Sequence, residues 1–551
     1  MSERERVSPQ MSAPEILDFL RATPGVFLTN NERDVSQSDF KCRIMPQTTL
    51  KVAPYRDETG YFAFEILGGA TLHIDLMKKQ INPFEKLRLV RSAMPNTLIQ
   101  GLCRGRYLFG YRPYPDNVIE MTVRLFSKYV DVWRLYDFMN YIPNLVVAAE
   151  AVKKAGKILM PCFCFSTGTG HTDDFYVEKV EEILSLLGED IILCIENQSA
   201  LGSPPRLAEL VRAIRKRFPD LLIAYHGHNT DGNELARIVA AVHEGVKLVE
   251  VADHGFGGIF SQAPALSVIQ NLQAHGFQTP ALKIPSILDA SDILRLERRL
   301  YEKFTSPFHG FDPTVKRHKL PGGAISLALE QAERAGLMER IQEVFTEFVQ
   351  VRKELGNVWM VTPGSQILWS TALSNIMNGR YENPSDDLKR MLLGRYGPFP
   401  FYDPHEWVLQ KVLESGRKDG MRWQEILAEK AGVQELADED LKARRHQLAS
   451  QLKRPATDEE LCIYLQFPRD ALEFIKFEDR FGQTWLLPPE VWFHEGGFAD
   501  GSRITFPDKA GKIHNIDIIS TKRTGDNVQT SFLVDYQFQT YRTHIAKNKA
   551  K

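Results

Sequence analysis

Little in this chain points to a charged partner or a membrane. Its 68 basic and 70 acidic residues nearly cancel, leaving a formal charge of −2, so no global field recruits nucleic acid or a lipid surface. No uninterrupted apolar segment approaches the ~18 residues of a membrane span. Cysteine is scarce, and Cys42, Cys103, Cys162, Cys164, Cys194 and Cys462 lack the spacing of a secreted disulfide framework. Cys162 and Cys164 fall in a short apolar run, Met160 to Phe165, which reads as a buried strand; no second cysteine pair completes a zinc site. The charged start, Met1 to Arg6, is followed by no apolar signal core, and a cytoplasmic home is expected. With 551 residues the chain exceeds one ordinary core, and two or three domains are expected.

From about residue 24 to 265, short apolar runs alternate with amphipathic stretches. The predicted strands are Val26–Thr29, Tyr61–Leu67, Thr97–Cys103, Val130–Tyr136, Lys157–Cys164, Ile191–Glu196, Leu221–His228 and Val246–Val251. Helical patterns such as Asn82–Ala93, Leu145–Ala155, Pro205–Phe218 and Glu234–Glu244 lie between them. Eight strands with intervening helices predict an α/β fold, a parallel sheet closed as a (β/α)8 barrel. An open doubly wound sheet fits the alternation too, but no Gly-rich fingerprint follows its first strand. Helical periodicity dominates from Ile284 to Leu355 and resumes near Pro384–Arg395, Asp403–Glu414, Trp423–Ala431 and Asp438–Leu452. β-prone runs return at Gln483–Leu487, Ser502–Phe506, Ile513–Ile519 and Ser531–Tyr536, predicting a small β-rich tail.

The pair His226-Gly227-His228 ends the seventh predicted strand. Residues i and i+2 of a strand face one side, so both imidazoles can converge on one ion. Alone, such a pair is more often two ordinary core or surface histidines. In a barrel, however, Asp34 after the first strand and Glu196 at the end of the sixth reach the same rim. Asp34, Glu196, His226 and His228 would then supply two carboxylates and two imidazoles, a donor set suited to Zn, Mn or Co.

Several stretches carry a resemblance over nearly the whole length. They are Glu32-Arg33-Asp34-Val35-Ser36-Gln37-Ser38, Glu65 to Thr71, Pro83 to Arg88 and Ala93 to Thr97. Arg104-Gly105, Gly110-Tyr111-Arg112, Arg134 to Asp137, the histidine pair and Leu320-Pro321-Gly322-Gly323 follow in order. Val361 to Ser365 and Asp458 to Leu461 complete the set. The chain thereby resembles the carboxyltransferase subunits of biotin-dependent enzymes: that of multi-subunit pyruvate carboxylase, the oxaloacetate decarboxylase alpha subunit and the transcarboxylase 5S subunit. These lie in a wider group of metal-dependent barrels that includes hydroxymethylglutaryl-CoA lyase.

The resemblance implies an N-terminal extension at 1–23, a carboxyltransferase barrel at 24–320, a helical funnel at 321–475 and a β-rich segment at 476–551. It implies transfer of CO2 between carboxybiotin and a 2-oxo acid such as pyruvate or oxaloacetate, through metal-stabilised enolate chemistry. Arg104 would pair with the substrate carboxylate, Gln37 would contact the keto acid, and the Ser326 hydroxyl would carry a proton between biotin and the substrate methyl. A biotin carboxyl carrier protein and a biotin carboxylase are the implied partners, and a homodimer the implied assembly. No Ala-Met-Lys-Met-like biotinylation segment occurs, so the biotin is expected on another chain.

The departures are specific. Glu196-Asn197-Gln198 stands where the family usually has a carbamylated lysine, Thr29-Asn30-Asn31 where it has Asp-Thr-Thr, and Phe260 and Tyr107 replace Thr and Asn. Two other functions therefore stay open: a biotin-independent 2-oxo acid decarboxylase or lyase, and a non-catalytic subunit of a carboxylase assembly.

Overall fold

A computed structural model describes residues 6–306, 310–415, 421–486, 489, 500–501, 503–507, 512–524, 527–535 and 537–544. Eight parallel strands close in sequence order: β1 (Phe27–Asn31), β2 (Ala63–Leu67), β3 (Leu98–Cys103), β4 (Val132–Leu135), β5 (Ile158–Cys164), β6 (Ile192–Asn197), β7 (Leu222–Gly227) and β8 (Leu248–Val251). Pairing of β1 with both β2 and β8 shuts the ring. All eight strands are buried along their whole length, as parallel strands covered by helices must be.

Alternation along each strand separates two surfaces. Leu28, Phe64, Ile99, Trp133, Leu193, Tyr225 and Val249 face outward into one apolar cluster with the surrounding helices. Phe27, Ala63, Leu98, Val132, Ile192, Leu222 and Leu248 belong to a second apolar cluster, inside the ring. Two residues further on, the same face turns polar at Glu65, Gln100, Arg134 and Glu250, and on β6 and β7, where Cys194 and Ala224 keep it apolar one step longer, at Glu196 and His226. The barrel interior is therefore apolar at its N-terminal end and charged toward its C-terminal end. Helix Ala13–Ala22, started by a Ser12–Glu15 capping box, adds Ile16, Leu17 and Leu20 to the inner apolar cluster.

Beyond the barrel, helices Gly322–Arg334, Ile341–Glu354 and Gly364–Asn378 pack together at its C-terminal end, sharing a core with the inner cluster. The later helices, Leu441–Leu452, Asp458–Gln466 and Pro468–Phe481, do not join them. Leu448, Leu461, Ile463, Phe474 and Ile475 pack instead with the outer cluster of the barrel. The stretch read as one helical funnel thus divides, because its last third carries apolar stripes that match the barrel's outer helices. In the tail, β9 (Arg503–Pro507), β10 (Ile513–Thr524), β11 (Asn527–Val534) and β12 (Gln537–His544) form an antiparallel sheet in the order 12-11-10-9. The strand predicted at Gln483–Leu487 is a single 3-10 turn at Thr484–Leu486, with Trp485 buried against the helices near Tyr301. Among the described residues no helix is long and apolar enough to cross a membrane.

Candidate active site

Asp34 is delivered by a helix rather than by a strand end. β1 runs to Asn31, whose side chain caps helix Glu32–Phe40 by accepting from the Asp34 amide at 2.9 Å. This places the Asp34 carboxylate in the first turn, where the helix's positive end favours it. The seventh strand carries His226 and ends at Gly227, with His228 directly after it. A Cβ on Gly227 would lie 2.1 Å from Glu234 Oε1 and 2.4 Å from the Tyr225 hydroxyl, so only glycine fits.

The three side chains converge. His226 Nε2 lies 3.2 Å and His228 Nε2 3.0 Å from the same oxygen, Asp34 Oδ2. All three are 3% exposed or less. Each imidazole has its other nitrogen engaged: His226 Nδ1 meets Glu250 Oε2 at 2.6 Å, and His228 Nδ1 meets the Phe260 carbonyl at 2.5 Å. With each Nδ1 turned to these acceptors, Nε2 is the nitrogen that faces Asp34 and that would ligate a metal ion. His226 Nε2 is buried with no hydrogen-bond partner. These three residues form a donor group with all ligand atoms within 4.8 Å of one another.

Glu196 is not part of that group. Its Oε1 approaches only His226 Nε2, at 3.7 Å, and accepts from Gln198 Nε2 at 2.5 Å. Its Oε2 is bound by Arg134 Nη1 at 2.8 Å. The reason is electrostatic: Arg134, buried in the barrel centre, draws Glu196, Glu65 and Glu250 around itself. Glu196 groups instead with Cys162 and Cys194, which face each other across β5 and β6.

Charge balance also favours a cation. Asp34, Glu65, Glu196 and Glu250 are four buried carboxylates, set against the three buried guanidiniums Arg33, Arg104 and Arg134. Burial and Arg134 oppose a charged imidazole at His226, yet Glu196, Glu250 and Asp34 raise its pKa to about 10. Burial pushes Asp34 the other way, but Arg33, His228 and His226 hold its carboxyl well below the usual range. A cluster with this excess negative charge suits a divalent metal ion.

Beside the three donors lies a small enclosed pocket, lined among others by Asp34, Gln37, Arg104, Tyr136, Gln198 and His228. Arg104 is 4% exposed and makes no ion pair among the described residues. Its Nη1 donates to the carbonyls of Phe109 (3.0 Å) and Gly110 (2.8 Å), its Nε to the Tyr136 hydroxyl at 3.2 Å, and Tyr111 stacks on it at 5.0 Å. Gln37 accepts from Arg33 Nη1 at 3.2 Å and donates to the Gly323 carbonyl at 3.3 Å. Ser326 does not line this pocket. It sits inside helix Gly322–Arg334, not at its cap, and donates to the Ser38 carbonyl at 2.8 Å. Ser38 Oγ in turn donates to Asp34 Oδ1 at 2.9 Å.

The start of that helix presses directly on the site. A Cβ on Gly322 would meet the Phe260 carbonyl at 2.1 Å and His228 Nδ1 at 2.6 Å. Gly322→Ala is therefore expected to push His228 out of place at a cost of about 1–3 kcal/mol. A melting curve and metal content, read together, check it: a variant as stable and as metal-loaded as the parent would remove this contact from the site.

Sequence patterning missed the supporting groups. Arg33, Glu65, Gln100, Arg134 and Glu250 hold the ligands in place, through bonds such as Asn31 Nδ2 to Glu250 (2.5 Å) and Gln100 Nε2 to Glu65 (2.7 Å). Their signal was present for four of them: Glu65, Gln100, Arg134 and Glu250 each interrupt an apolar strand on the inward face, whereas Arg33 lies in helix Glu32–Phe40. Tyr107, one of the departures, lies away from the pocket, its hydroxyl donating to the Tyr396 carbonyl at 3.2 Å. Phe260 touches the site only through its backbone carbonyl.

A family model described as HMGL-like matches residues 124–298, and one described as a conserved carboxylase domain matches residues 315–517. The methylmalonyl-CoA carboxyltransferase 5S subunit of Propionibacterium freudenreichii subsp. shermanii is 30% identical over 450 residues, covering 81% of this chain and 86% of that protein. A pyruvate carboxylase subunit of Methanocaldococcus jannaschii is 29% identical over 449 residues, 81% of this chain and 76% of that protein. The carboxyl transferase domain of Rhizobium etli pyruvate carboxylase, solved with 3-bromopyruvate, superposes with a TM-score of 0.86 at 25% identity, covering 97% of this chain and 90% of that one.

Proposed function

The chain belongs to the biotin-dependent carboxyltransferase family, and we propose that it transfers CO2 between carboxybiotin and a 2-oxo acid of the pyruvate or oxaloacetate kind. The observation that carries this reading is Arg104: a buried guanidinium without a carboxylate partner among the described residues, facing the same pocket as Asp34 and His228. A 2-oxo acid brings a carboxylate for the guanidinium's planar fork. It also brings a keto oxygen that must bear charge when the neighbouring carbon gains or loses CO2.

Asp34, His226 and His228 would hold a divalent ion, Zn, Mn or Co, which when bound supplies a Lewis acid for that oxygen. Gln37, steadied by Arg33 and the Gly323 carbonyl, presents its amide to the substrate. Arg104 orients the acid, and the first turn of helix Gly322–Arg334 together with Tyr136 and Thr362 walls the pocket from water. The Ser326 hydroxyl serves as proton carrier in this reading, releasing the Ser38 carbonyl to do so.

Glu196 serves here by neutralising Arg134 rather than by ligating the ion. Glu196→Gln is expected to lower stability by about 1–3 kcal/mol, through a buried guanidinium left under-paired, while metal content stays that of the parent. Elemental analysis of the folded variant decides: loss of the ion would make Glu196 a fourth ligand.

A biotin carboxyl carrier protein, a biotin carboxylase and a second copy of this chain are the partners in this reading. Isolation of the native protein on an avidin matrix tests it. The chain is expected to be retained through a biotinylated partner, and passage through the matrix without one would speak against carboxybiotin as co-substrate.

A further inference from the structure

Outside the catalytic pocket, a cavity of about 560 Å³ opens between the loop after β5 and the helices that follow the barrel. That size is ordinary for a ligand site. His171, Lys319, Arg352 and Lys353 line it. Asp403 is the only carboxylate among the described lining residues; it is exposed and makes no ion pair.

Among the described residues these cations have no carboxylate partner. Arg352 is 8% exposed and lines the cavity, and among the described residues its side chain hydrogen-bonds only from Nε to the Val358 carbonyl, at 3.4 Å. Lys319 Nζ donates to the Thr167 carbonyl and pairs with no carboxylate among the described residues. His171 spends Nδ1 on the Tyr176 hydroxyl at 2.9 Å, and Nε2 remains. The carboxylate nearest in sequence, Glu354, is committed to Arg380 at 2.5 Å and to the Tyr381 hydroxyl at 2.8 Å.

The consequence is that the charged form of each group is disfavoured. Burial and then Arg352 push the Lys319 ammonium down to about 8. Burial, then Lys319, Arg352 and Arg206, push His171 down to about 3. Burial alone takes Arg352 down to about 10. Outside the catalytic pocket, where Arg104 awaits a substrate carboxylate, other buried guanidiniums are met by carboxylates, as Arg56 is by Glu32 and Asp253, and Arg237 by Asp231 and Glu234. A buried charge without a partner is costly unless something outside the chain supplies one.

We propose that this cavity is an anion site for a phosphate-type oxyanion, held by Arg352 and Lys319. A phosphate group carries up to two charges and several acceptor oxygens, matching a guanidinium fork and an ammonium better than a single carboxylate does. The group has two possible sources, free inorganic phosphate and the phosphoryl end of a larger molecule.

The full-length chain, in chloride buffer at fixed ionic strength, is titrated calorimetrically with inorganic phosphate and separately with glycerol phosphate as a monoester. Saturable binding is expected for at least one of them. Roughly tenfold weakening is expected in each of Lys319→Gln and Arg352→Gln, the size of one charge-assisted contact. Tighter binding of the monoester assigns the site to a phosphorylated molecule, and tighter binding of phosphate to the free ion. Melting curves supply a second readout: bound anion raises the parent's Tm, and that rise shrinks in the variants. Should Arg352→Gln fail to fold, Lys319→Gln carries the comparison. Absence of saturable binding in the parent, or binding undiminished in the folded variants, overturns the proposal.

Discussion

His228→Ala is expected to purify without a divalent ion and to lose carboxyl transfer by about 10³-fold, the scale of removing a preorganised group that meets developing charge. The reasoning is geometric. His228 and His226 both aim Nε2 at Asp34 Oδ2, at 3.0 and 3.2 Å, and no fourth residue closes the group among the described residues. A three-donor centre has no spare ligand, so deleting one imidazole removes a third of its protein donors. The His228 ring is also fixed from behind by the Phe260 carbonyl, so neighbouring water cannot reproduce its position. Elemental analysis and steady-state kinetics on one preparation check both halves. An ion retained at parental level would show that the ion sits elsewhere.

Arg104→Ala is expected to lower kcat/KM for the 2-oxo acid by about 10²-fold, equivalent to ~3 kcal/mol for a charged hydrogen bond in a buried site. Arg104 is held by two backbone carbonyls, the Tyr136 hydroxyl and Tyr111, so its orientation survives without substrate. Such preorganisation predisposes the loss to appear mainly in KM. Arg104→Lys keeps the charge but not the fork, and intermediate activity is expected. Comparison of the acid with its neutral amide isolates the contact: the parent should discriminate strongly, Arg104→Ala hardly at all. Equal discrimination in both proteins would detach Arg104 from the carboxylate.

The barrel was legible because parallel strands are apolar on both faces. Each of the eight predicted runs contains or overlaps an observed strand, with boundaries shifted by a few residues, as where β1 continues past Thr29 to Asn31. Helix Glu32–Phe40 was not legible. Its residues are mostly polar, yet Glu32, Arg33, Asp34 and Asp39 are buried through ion pairs and hydrogen bonds that only the closed barrel supplies. Helix Gly364–Asn378 escaped for the opposite reason: it is buried on nearly every side, so no polar stripe marks a period.

The site shows the same division. Asp34 and the histidine pair lie near strand ends, where position alone marks them. Glu196 lies one residue before the end of the sixth strand, but the partner that takes up its carboxylate, Arg134, lies 62 residues away. Spacing along one strand carries no information about such a pairing. Ser326 was singled out by the resemblance alone, and its engagement with the Ser38 carbonyl depends on two helices meeting.

The most direct test is oxaloacetate consumption by the purified full-length chain, supplied with Mn or Zn, with and without free biotin as carboxyl acceptor. Turnover that depends on added biotin, and that is lost in His228→Ala and Arg104→Ala, is the expected result. Turnover indifferent to biotin would instead identify a lyase, and no turnover by metal-loaded protein with biotin present would contradict carboxyl transfer at this centre.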